Sequence, residues 1–142
     1  TTSVINLAGV FAAEMSRRIL VVDMDSQANC TIGLGFSPYS LSAKRQVFIS
    51  DVLQPTGSAQ SSGAGAYQSL HSVRDAILRT EIEGLDLVPS SLQLSDIEIP
   101  LINAMARETT LSRALAPVRS EYDIILIDCP PSLGIFTTNA LW

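Results

Sequence analysis

The sequence is poor in charged and aromatic residues and contains only two cysteines. Charged residues make up 16% of the 142 residues and aromatic residues 6%, whereas 46% are hydrophobic. This composition excludes a disordered chain and fits one compact domain with a substantial core. Cys30 and Cys129 form neither a metal-ligand pair nor a disulfide framework, so we expect reduced thiols in a cytoplasmic protein.

Long apolar runs and clusters of basic residues are also missing. No run of about 18 apolar residues occurs, and the first residues lack the basic-then-apolar pattern of a signal peptide. Both absences argue against a membrane span and against export. The nine lysine and arginine residues are scattered and the net charge is −5, so the chain shows no basic cluster of the kind that binds nucleic acid.

Both ends of the sequence resemble cut ends. There is no initiator methionine, Thr1 and Thr2 lead directly into a helical pattern, and the chain stops at Trp142 within another. We therefore interpret residues 1–142 as a single partial domain of a longer protein.

Apolar residues recur with a helical period in two regions. The first set is Val4, Leu7, Ala8, Phe11, Ala12 and Met15. Its spacing predicts a helix with one buried stripe, beginning at or near the first residue. The second set, which predicts helical structure before residue 124, is Ile97, Leu101, Met105, Leu111, Ala114, Leu115 and Val118.

Three short, mainly apolar segments predict strands, and two of them, residues 19–22 and 124–127, are continuous apolar runs. The three segments are residues 19–22 ("ILVV"), 85–89 ("LDLVP") and 124–127 ("IILI"). Such runs fit parallel strands that are covered on both faces. Strands that alternate with amphipathic helices predict an α/β fold with a mainly parallel sheet and helices on both faces.

The remaining segments give weaker signals. "QVFISDVL" predicts a short helix, and "AILRTEI" is compatible with either an extended or a helical structure. Residues 54–72 are rich in Gly, Ser, Ala and Gln, which predicts a flexible surface loop within the domain and without a role of its own.

Aspartates follow two of the predicted strands. Asp23 and Asp25 follow the first, and Asp128 ends the run at 124–127. In parallel sheets ligands bind beyond the carboxyl ends of the strands, where a fixed carboxylate suits Mg²⁺. A polar strand exit or a turn cap is the alternative for each aspartate taken alone. Thr1 and Thr2 begin the first helix, where free N–H groups attract anions and a hydroxyl can complete a metal site.

Four stretches resemble a known family in order and spacing. They are "TTSVINLAGVFA", "ILVVDMDSQANCTIGLG", "GLDLVPSSLQLSDIEI" and "YDIILIDCPPSLGIFTTNAL". Together they resemble the ParA/Soj branch of the ParA/MinD ATPases, which are P-loop proteins with a deviant Walker A motif. The resemblance covers nearly the whole chain except the Gly/Ser-rich loop.

The resemblance implies roles for individual residues. Thr1 and Thr2 resemble the last two residues of the K-G-G-x-G-K-T-[ST] loop, with Thr1 as a Mg²⁺ ligand and Thr2 near an inner phosphate. Asp25 resembles the catalytic switch I carboxylate that positions the attacking water. Asp128 resembles the Walker B carboxylate that holds Mg²⁺ through water, and residues 130–134, beginning at Pro130, resemble the γ-phosphate sensor switch II.

The implied activity is slow, Mg²⁺-dependent hydrolysis of ATP to ADP and phosphate by a molecular switch. The family resemblance implies an ATP-dependent homodimer that binds DNA nonspecifically through a C-terminal half and is stimulated by a ParB-type protein. It implies chromosome or plasmid partitioning by a cytoplasmic, nucleoid-associated protein, without a membrane. Without the phosphate-binding loop and its lysines, the 142-residue chain itself is expected to bind ATP poorly or not at all.

Two features depart from the family pattern. Ser26 stands where a proline commonly follows the switch I aspartate, which changes loop stiffness rather than chemistry. The loop at 54–72 is longer and lower in complexity than expected.

Three other functions compete with this interpretation. A MinD-like or other cargo-positioning ATPase shares the catalytic residues, although "VPSSLQLSDIEI" and "ETTLSRALAPV" favour the partitioning branch. A nitrogenase iron protein would need cysteines placed for an iron–sulfur cluster, and neither Cys30 nor Cys129 has that context. A truncated, non-catalytic interaction module becomes the leading interpretation if the natural protein begins at Thr1.

Overall fold

A computed structural model describes residues 1–55 and 70–142 of the chain. Within them, one four-stranded sheet has the order β2-β3-β1-β4. Its strands are β1 (Ile19–Asp23), β2 (Leu78–Arg79), β3 (Leu85–Val88) and β4 (Ile124–Asp128). β1 pairs in parallel with β3 and with β4, and β2 pairs antiparallel with β3. The predicted α/β fold with a mainly parallel sheet is confirmed.

The helices that connect the strands are mostly short. The α-helices are α1 (Thr2–Ala13), α2 (Asn29–Gly33), α3 (Pro38–Ala43), α4 (Ile49–Leu53), α5 (Val73–Ala76), α6 (Glu98–Ile102), α7 (Thr110–Leu115) and α8 (Ile135–Leu141). Turns of 3-10 helix span Leu92–Ile97, Arg107–Thr109 and Arg119–Glu121. The predicted helix in "QVFISDVL" is α4, and "AILRTEI" contains the end of α5 and all of β2. The predicted loop at 54–72 lies largely outside the described residues.

β1 is buried along its whole length between two apolar layers. Leu20 and Val22 pack in one layer with side chains of α4, α7 and α8. Ile19 and Val21 pack in the other layer with side chains of α1 and α2. Helices therefore cover both faces of β1, as its continuous apolar sequence predicts.

Truncation of a core side chain on β1 should destabilise the protein strongly. Leu20 is fully buried, so Leu20→Ala should lower the free energy of unfolding by about 2–5 kcal/mol through lost contacts and a residual cavity. Leu92, which is 73% exposed, provides a matched control, and its alanine variant should change the free energy by less than about 0.5 kcal/mol. Urea denaturation of both variants checks this. Equal losses would mean that the layer around β1 is not the core.

β4 differs from the prediction of a strand buried on both faces. Its residues 124–127 are only half-buried, and Asp128 alone is buried. Within the described part of the chain, β4 pairs with β1 on one side and has no strand on the other. An apolar run thus predicted the strand correctly but not its burial.

The buried stripe of α1 is narrower than predicted. Ala8 and Ala12 are buried, whereas Leu7 is 47% and Met15 is 53% exposed. Small alanine side chains let the helix approach the sheet closely, so the bulkier Leu7 lies beside the contact. Met15 lies beyond the end of the helix, where the chain turns through a left-handed Ser16.

The helical pattern over residues 97–118 is broken into separate pieces. α6 and α7 are divided by a left-handed Ala106 and a turn of 3-10 helix. Met105, which the pattern places in a buried stripe, is 90% exposed. The apolar spacing therefore marks contacts made by several short helices rather than one.

None of the described helices is long and apolar enough to cross a membrane.

Candidate active site

The carboxyl ends of β1 and β4 lie side by side. Asp23 is the register partner of Asp128, and the amide of Met24 donates a hydrogen bond of 2.8 Å to the Asp128 carbonyl. Asp25 follows Met24 directly. The structure thus brings both aspartate groups to the same edge of the sheet, as the parallel arrangement predicts.

Thr1 lies against the carboxylate at the end of β4. Its hydroxyl donates to Asp128 Oδ2 over 2.7 Å, and its amino nitrogen lies 2.8 Å from Oδ1. Asp128 is only 2% exposed, so its carboxylate is held rigidly. A threonine and an aspartate 127 positions apart therefore present adjacent oxygen atoms.

The N-terminus of α1 faces this edge without a side-chain cap. The first turn, which begins at Thr2, contains no acidic residue, and Thr1 at the N-cap position caps no backbone amide with its side chain. Amides at the start of a helix carry partial positive charge and bind anions when no side chain caps them. The N-terminus of α1 is therefore suited to binding a phosphate group.

Asp25 lies in a tight turn just beyond β1 and is 9% exposed. Its Oδ1 accepts a hydrogen bond of 2.9 Å from the Gln27 amide, and its carbonyl accepts one of 2.9 Å from the Ala28 amide. One of the two carboxylate oxygens of Asp25 therefore caps the turn, as the alternative interpretation predicts. Among the described residues, Oδ2 accepts no hydrogen bond, which leaves it able to orient another molecule.

Asp23, the first aspartate of "DMD", is fully buried. Its Oδ1 accepts a hydrogen bond from the Asp25 amide (3.1 Å), and its Oδ2 accepts two from the amide and hydroxyl of Thr31 (2.8 Å each). Burial raises the pKa of Asp23, and the hydrogen bonds from Thr31 and Asp25 oppose that rise.

The thiols near this edge should be unreactive. Burial, together with the charges of Asp23 and Asp128, raises the pKa of Cys30 to about 12. Burial and Asp128 also raise the pKa of Cys129, which is half-buried. Because the thiolate is the reactive form, iodoacetamide at pH 8 should leave Cys30 unmodified in the folded protein and alkylate it in urea. Mass spectrometry checks this, and rapid labelling of folded Cys30 would contradict its burial.

Pro130 begins a segment without regular structure between β4 and α8. The two prolines end β4, α8 begins only at Ile135, and Leu133 between them is 93% exposed. The segment begins two residues after Asp128, so we expect a change in its backbone conformation to move the Asp128 carboxylate.

The residues at this edge fit a magnesium ion. Thr1 and Asp128 supply oxygen atoms only, which is the donor chemistry that Mg²⁺ prefers. In residues 1–55 and 70–142, no group of three His, Cys, Asp or Glu side chains is placed to hold a metal. This pair leaves the remaining coordination positions to water and phosphate oxygens, as Mg²⁺ sites in nucleotide-binding proteins commonly do.

Comparison with known proteins identifies the family. A family profile described as an AAA domain matches residues 1–142. The chain belongs to this family. The sporulation initiation inhibitor protein Soj of Bacillus subtilis is 39% identical over 141 residues, which cover 99% of this chain and 48% of Soj. The chromosome partitioning protein ParA of Caulobacter vibrioides is 38% identical over 143 residues, which cover 99% of this chain and 46% of ParA.

A solved structure agrees with this assignment. The crystal structure of cobyrinic acid a,c-diamide synthase from Mycobacterium smegmatis with a bound ATP analogue and magnesium is 34% identical. The superposition has a TM-score of 0.79 and covers 99% of this chain and 50% of the synthase chain. The chain is thus a ParA/Soj-type member of the P-loop NTPases, and it spans less than half the length of Soj and ParA.

The sequence patterns found most of these residues but missed one partner. Thr1, Thr2, Asp25 and Asp128 all lie at the predicted edge, and Pro130 lies two residues after the end of β4. Thr31, which anchors Asp23, was not singled out, and α2, on which it lies, was not predicted. The only sign of Thr31 in the sequence is that it is a polar residue in a short segment that ends in glycines.

Proposed function

We propose that the whole protein is an ATP-hydrolysing molecular switch that partitions chromosomes or plasmids. The observation that carries the proposal is the contact of Thr1 with Asp128 beside the uncapped N-terminus of α1, with Asp25 at the same edge. The arrangement offers an anion site, a Mg²⁺ site and a carboxylate with one unused oxygen. The chromosome partitioning protein ParA shares more identity with the chain than the synthase does, at 38% against 34%, which favours partitioning.

In this proposal each residue has one task. Thr2 and the first turn of α1 bind phosphate oxygens through backbone amides. Thr1 and Asp128 hold Mg²⁺, the latter through water, and the ion supplies charge neutralisation for the transferring phosphoryl group. Asp25 orients the attacking water through Oδ2, and Pro130 to Gly134 respond to the γ-phosphate. Hydrolysis is slow because a molecular switch must remain in its ATP-bound state long enough to act.

The proposal extends to partners that the described residues do not supply. ATP joins two copies of the protein, and the dimer binds DNA without sequence preference. Because this chain has a net charge of −5, the DNA-binding cations lie in the rest of the whole protein. A ParB-type protein stimulates hydrolysis, and the protein acts in the cytoplasm on the nucleoid. A MinD-like ATPase that positions another cargo is the alternative, since it would use the same catalytic residues.

DNA binding by the whole protein tests the cargo. The protein is titrated onto two duplexes of unrelated sequence with ATP, ADP or no nucleotide, over a salt series. We expect equal binding to both duplexes with ATP alone, falling steeply as salt rises. ATP-dependent dimers that bind no DNA would reject the partitioning role and favour the MinD-like alternative. Absence of ATP binding would reject the ATPase itself.

The hydroxyl of Thr1 gives a more local test. Thr1→Val removes the oxygen but keeps the shape, so we expect the Mg²⁺ concentration for half-maximal ATP hydrolysis to rise by about 10-fold or more. Thr1→Ser keeps the oxygen and should stay within about threefold of the native value. Magnesium titrations of steady-state turnover measure both. Equal behaviour of the two variants would show that the hydroxyl is no ligand.

A further inference from the structure

The buried carboxylate of Asp23 accepts hydrogen bonds from both ends of the loop that carries Asp25. One oxygen of Asp23 accepts the Asp25 amide at 3.1 Å, at the start of the loop. The other oxygen accepts the Thr31 amide and hydroxyl at 2.8 Å each, at its far end. Residues 25–31 are thus closed into a ring through one side chain.

The same threonine connects this loop to a second strand. The Thr31 hydroxyl, besides donating to Asp23, accepts a hydrogen bond of 3.0 Å from the Ser90 amide, just after β3. All three residues are fully buried. The loop is therefore fixed relative to the carboxyl ends of both β1 and β3. We call Asp23, Thr31 and the Ser90 amide the loop clamp.

The loop clamp buries a carboxylate, which is an unfavourable arrangement if its only role is to stabilise the fold. A carboxylate taken out of water needs strong compensation, and Asp23 forms no salt bridge with any residue in the described part of the chain. Its compensation consists of the three hydrogen bonds that it accepts, two from Thr31 and one from the Asp25 amide. Part of their role is to cap α2, because the Thr31 amide is a free donor of its first turn and Ala28 at the N-cap position has no side-chain acceptor. Capping of α2 explains the hydrogen bond that Asp23 accepts from the Thr31 amide. It does not explain the hydrogen bond that Asp23 accepts from the Asp25 amide.

We propose that Asp23 and Thr31 are positioning residues that hold the Asp25 carboxylate in place for hydrolysis. The effect on the reaction rests on the function proposed above, whereas the clamp itself does not. The clamp acts on the backbone of Asp25, so it fixes the position from which the side chain presents the unused Oδ2. A small displacement of a group that orients a reactant costs up to about a hundredfold in rate. Loss of the clamp should therefore lower kcat and leave the affinity for ATP almost unchanged.

The test compares three threonine variants in the whole protein. Thr31→Val keeps the shape and removes both bonds of the hydroxyl, and Thr31→Ser restores the hydroxyl. Thr110→Val is the matched control, because Thr110, at the start of α7, is 1% exposed and its hydroxyl donates to the Arg107 carbonyl. Steady-state kinetics give kcat and KM for ATP. Hydrogen exchange followed by mass spectrometry reports on residues 24–31 in the nucleotide-free protein.

We expect Thr31→Val to lower kcat by about 10- to 100-fold, to change KM by less than about threefold, and to speed exchange in residues 24–31 by about 10-fold or more. Thr31→Ser should recover most of kcat, and Thr110→Val should affect neither kcat nor exchange there. Native kcat in Thr31→Val, or an equal loss in Thr110→Val, would overturn the positioning role. If Thr31→Val does not fold, Asp23→Asn, which places an amide group against donors, should give the same split between kcat and KM, and native kcat there would overturn the role.

The exchange measurement separates this inference from the proposed function. If the native protein hydrolyses no ATP, the proposed function fails, but faster exchange in Thr31→Val still supports the clamp. If the native protein hydrolyses ATP and Thr31→Val exchanges at the native rate, the clamp fails and the proposed function stands.

Discussion

Asp25→Ala is expected to abolish measurable ATP hydrolysis by the whole protein while leaving ATP binding and ATP-dependent dimerisation intact. Asp25 contributes no oxygen to the proposed Mg²⁺ pair of Thr1 and Asp128, so its loss removes only the group that orients water. A positioned acid–base or water-orienting group contributes roughly 10²–10⁴-fold to a rate, and we expect kcat to fall by that factor. Phosphate release measures kcat, and size-exclusion chromatography with a non-hydrolysable ATP analogue measures dimerisation.

Two controls separate the catalytic effect from a structural one. Asp96→Ala removes an exposed carboxylate from the 3-10 helix after β3 and should leave turnover unchanged. Asp25→Asn keeps an acceptor for the Gln27 amide, and therefore the turn, but loses the charge. It should be nearly as inactive as Asp25→Ala. Native turnover in either Asp25 variant would reject the assigned role and leave the turn-capping interpretation.

Asp128→Asn is expected to weaken Mg²⁺-dependent ATP binding itself. Asp128 is 2% exposed and lies 2.7 Å from the Thr1 hydroxyl, so the proposed water-bridged ion loses a fixed negative charge. Partners that hold a metal indirectly are worth about 10- to 100-fold in metal affinity, and we expect the Mg²⁺ requirement to rise by that factor. Calorimetric titration of ATP at several Mg²⁺ concentrations measures the shift.

Asp123→Asn is the matched control because Asp123 precedes the same strand at its other end. Its carboxylate accepts a hydrogen bond from the Arg18 amide, so the substitution disturbs β4 without approaching the site. We expect its Mg²⁺ dependence to match that of the native protein. An unaltered dependence in Asp128→Asn, or an equal change in both variants, would remove Asp128 from the metal site.

The sequence predicted the central strands and the aspartates that follow them because both signals are local. Continuous apolar runs favour buried parallel strands, and parallel strands place their carboxyl ends together, so the neighbourhood of Asp25 and Asp128 followed from pattern alone. The family resemblance implied that Thr1 and Asp128 serve the same Mg²⁺ ion, and the hydrogen bond between them joins residues 127 positions apart. No local pattern contains that information.

The features that the sequence did not predict depend on tertiary contacts. Thr31 lies in a five-residue helix, too short for an apolar period to appear. The half-burial of β4 reflects which strands lie beside it, and the exposure of Leu7 reflects how closely two alanines of α1 approach the sheet. The break at Ala106 requires a left-handed residue that is not glycine, which composition does not reveal.

The most direct test of the account is a crystal structure of the whole protein with Mg²⁺ and a non-hydrolysable ATP analogue. The account predicts a magnesium ion about 2.0–2.1 Å from the Thr1 hydroxyl oxygen and joined to Asp128 through water. It also predicts phosphate oxygens at the N-terminus of α1 and Asp25 Oδ2 facing the γ-phosphate. A nucleotide bound away from the carboxyl edge of β1 and β4, or a magnesium ion without contact to Thr1 or Asp128, would contradict it.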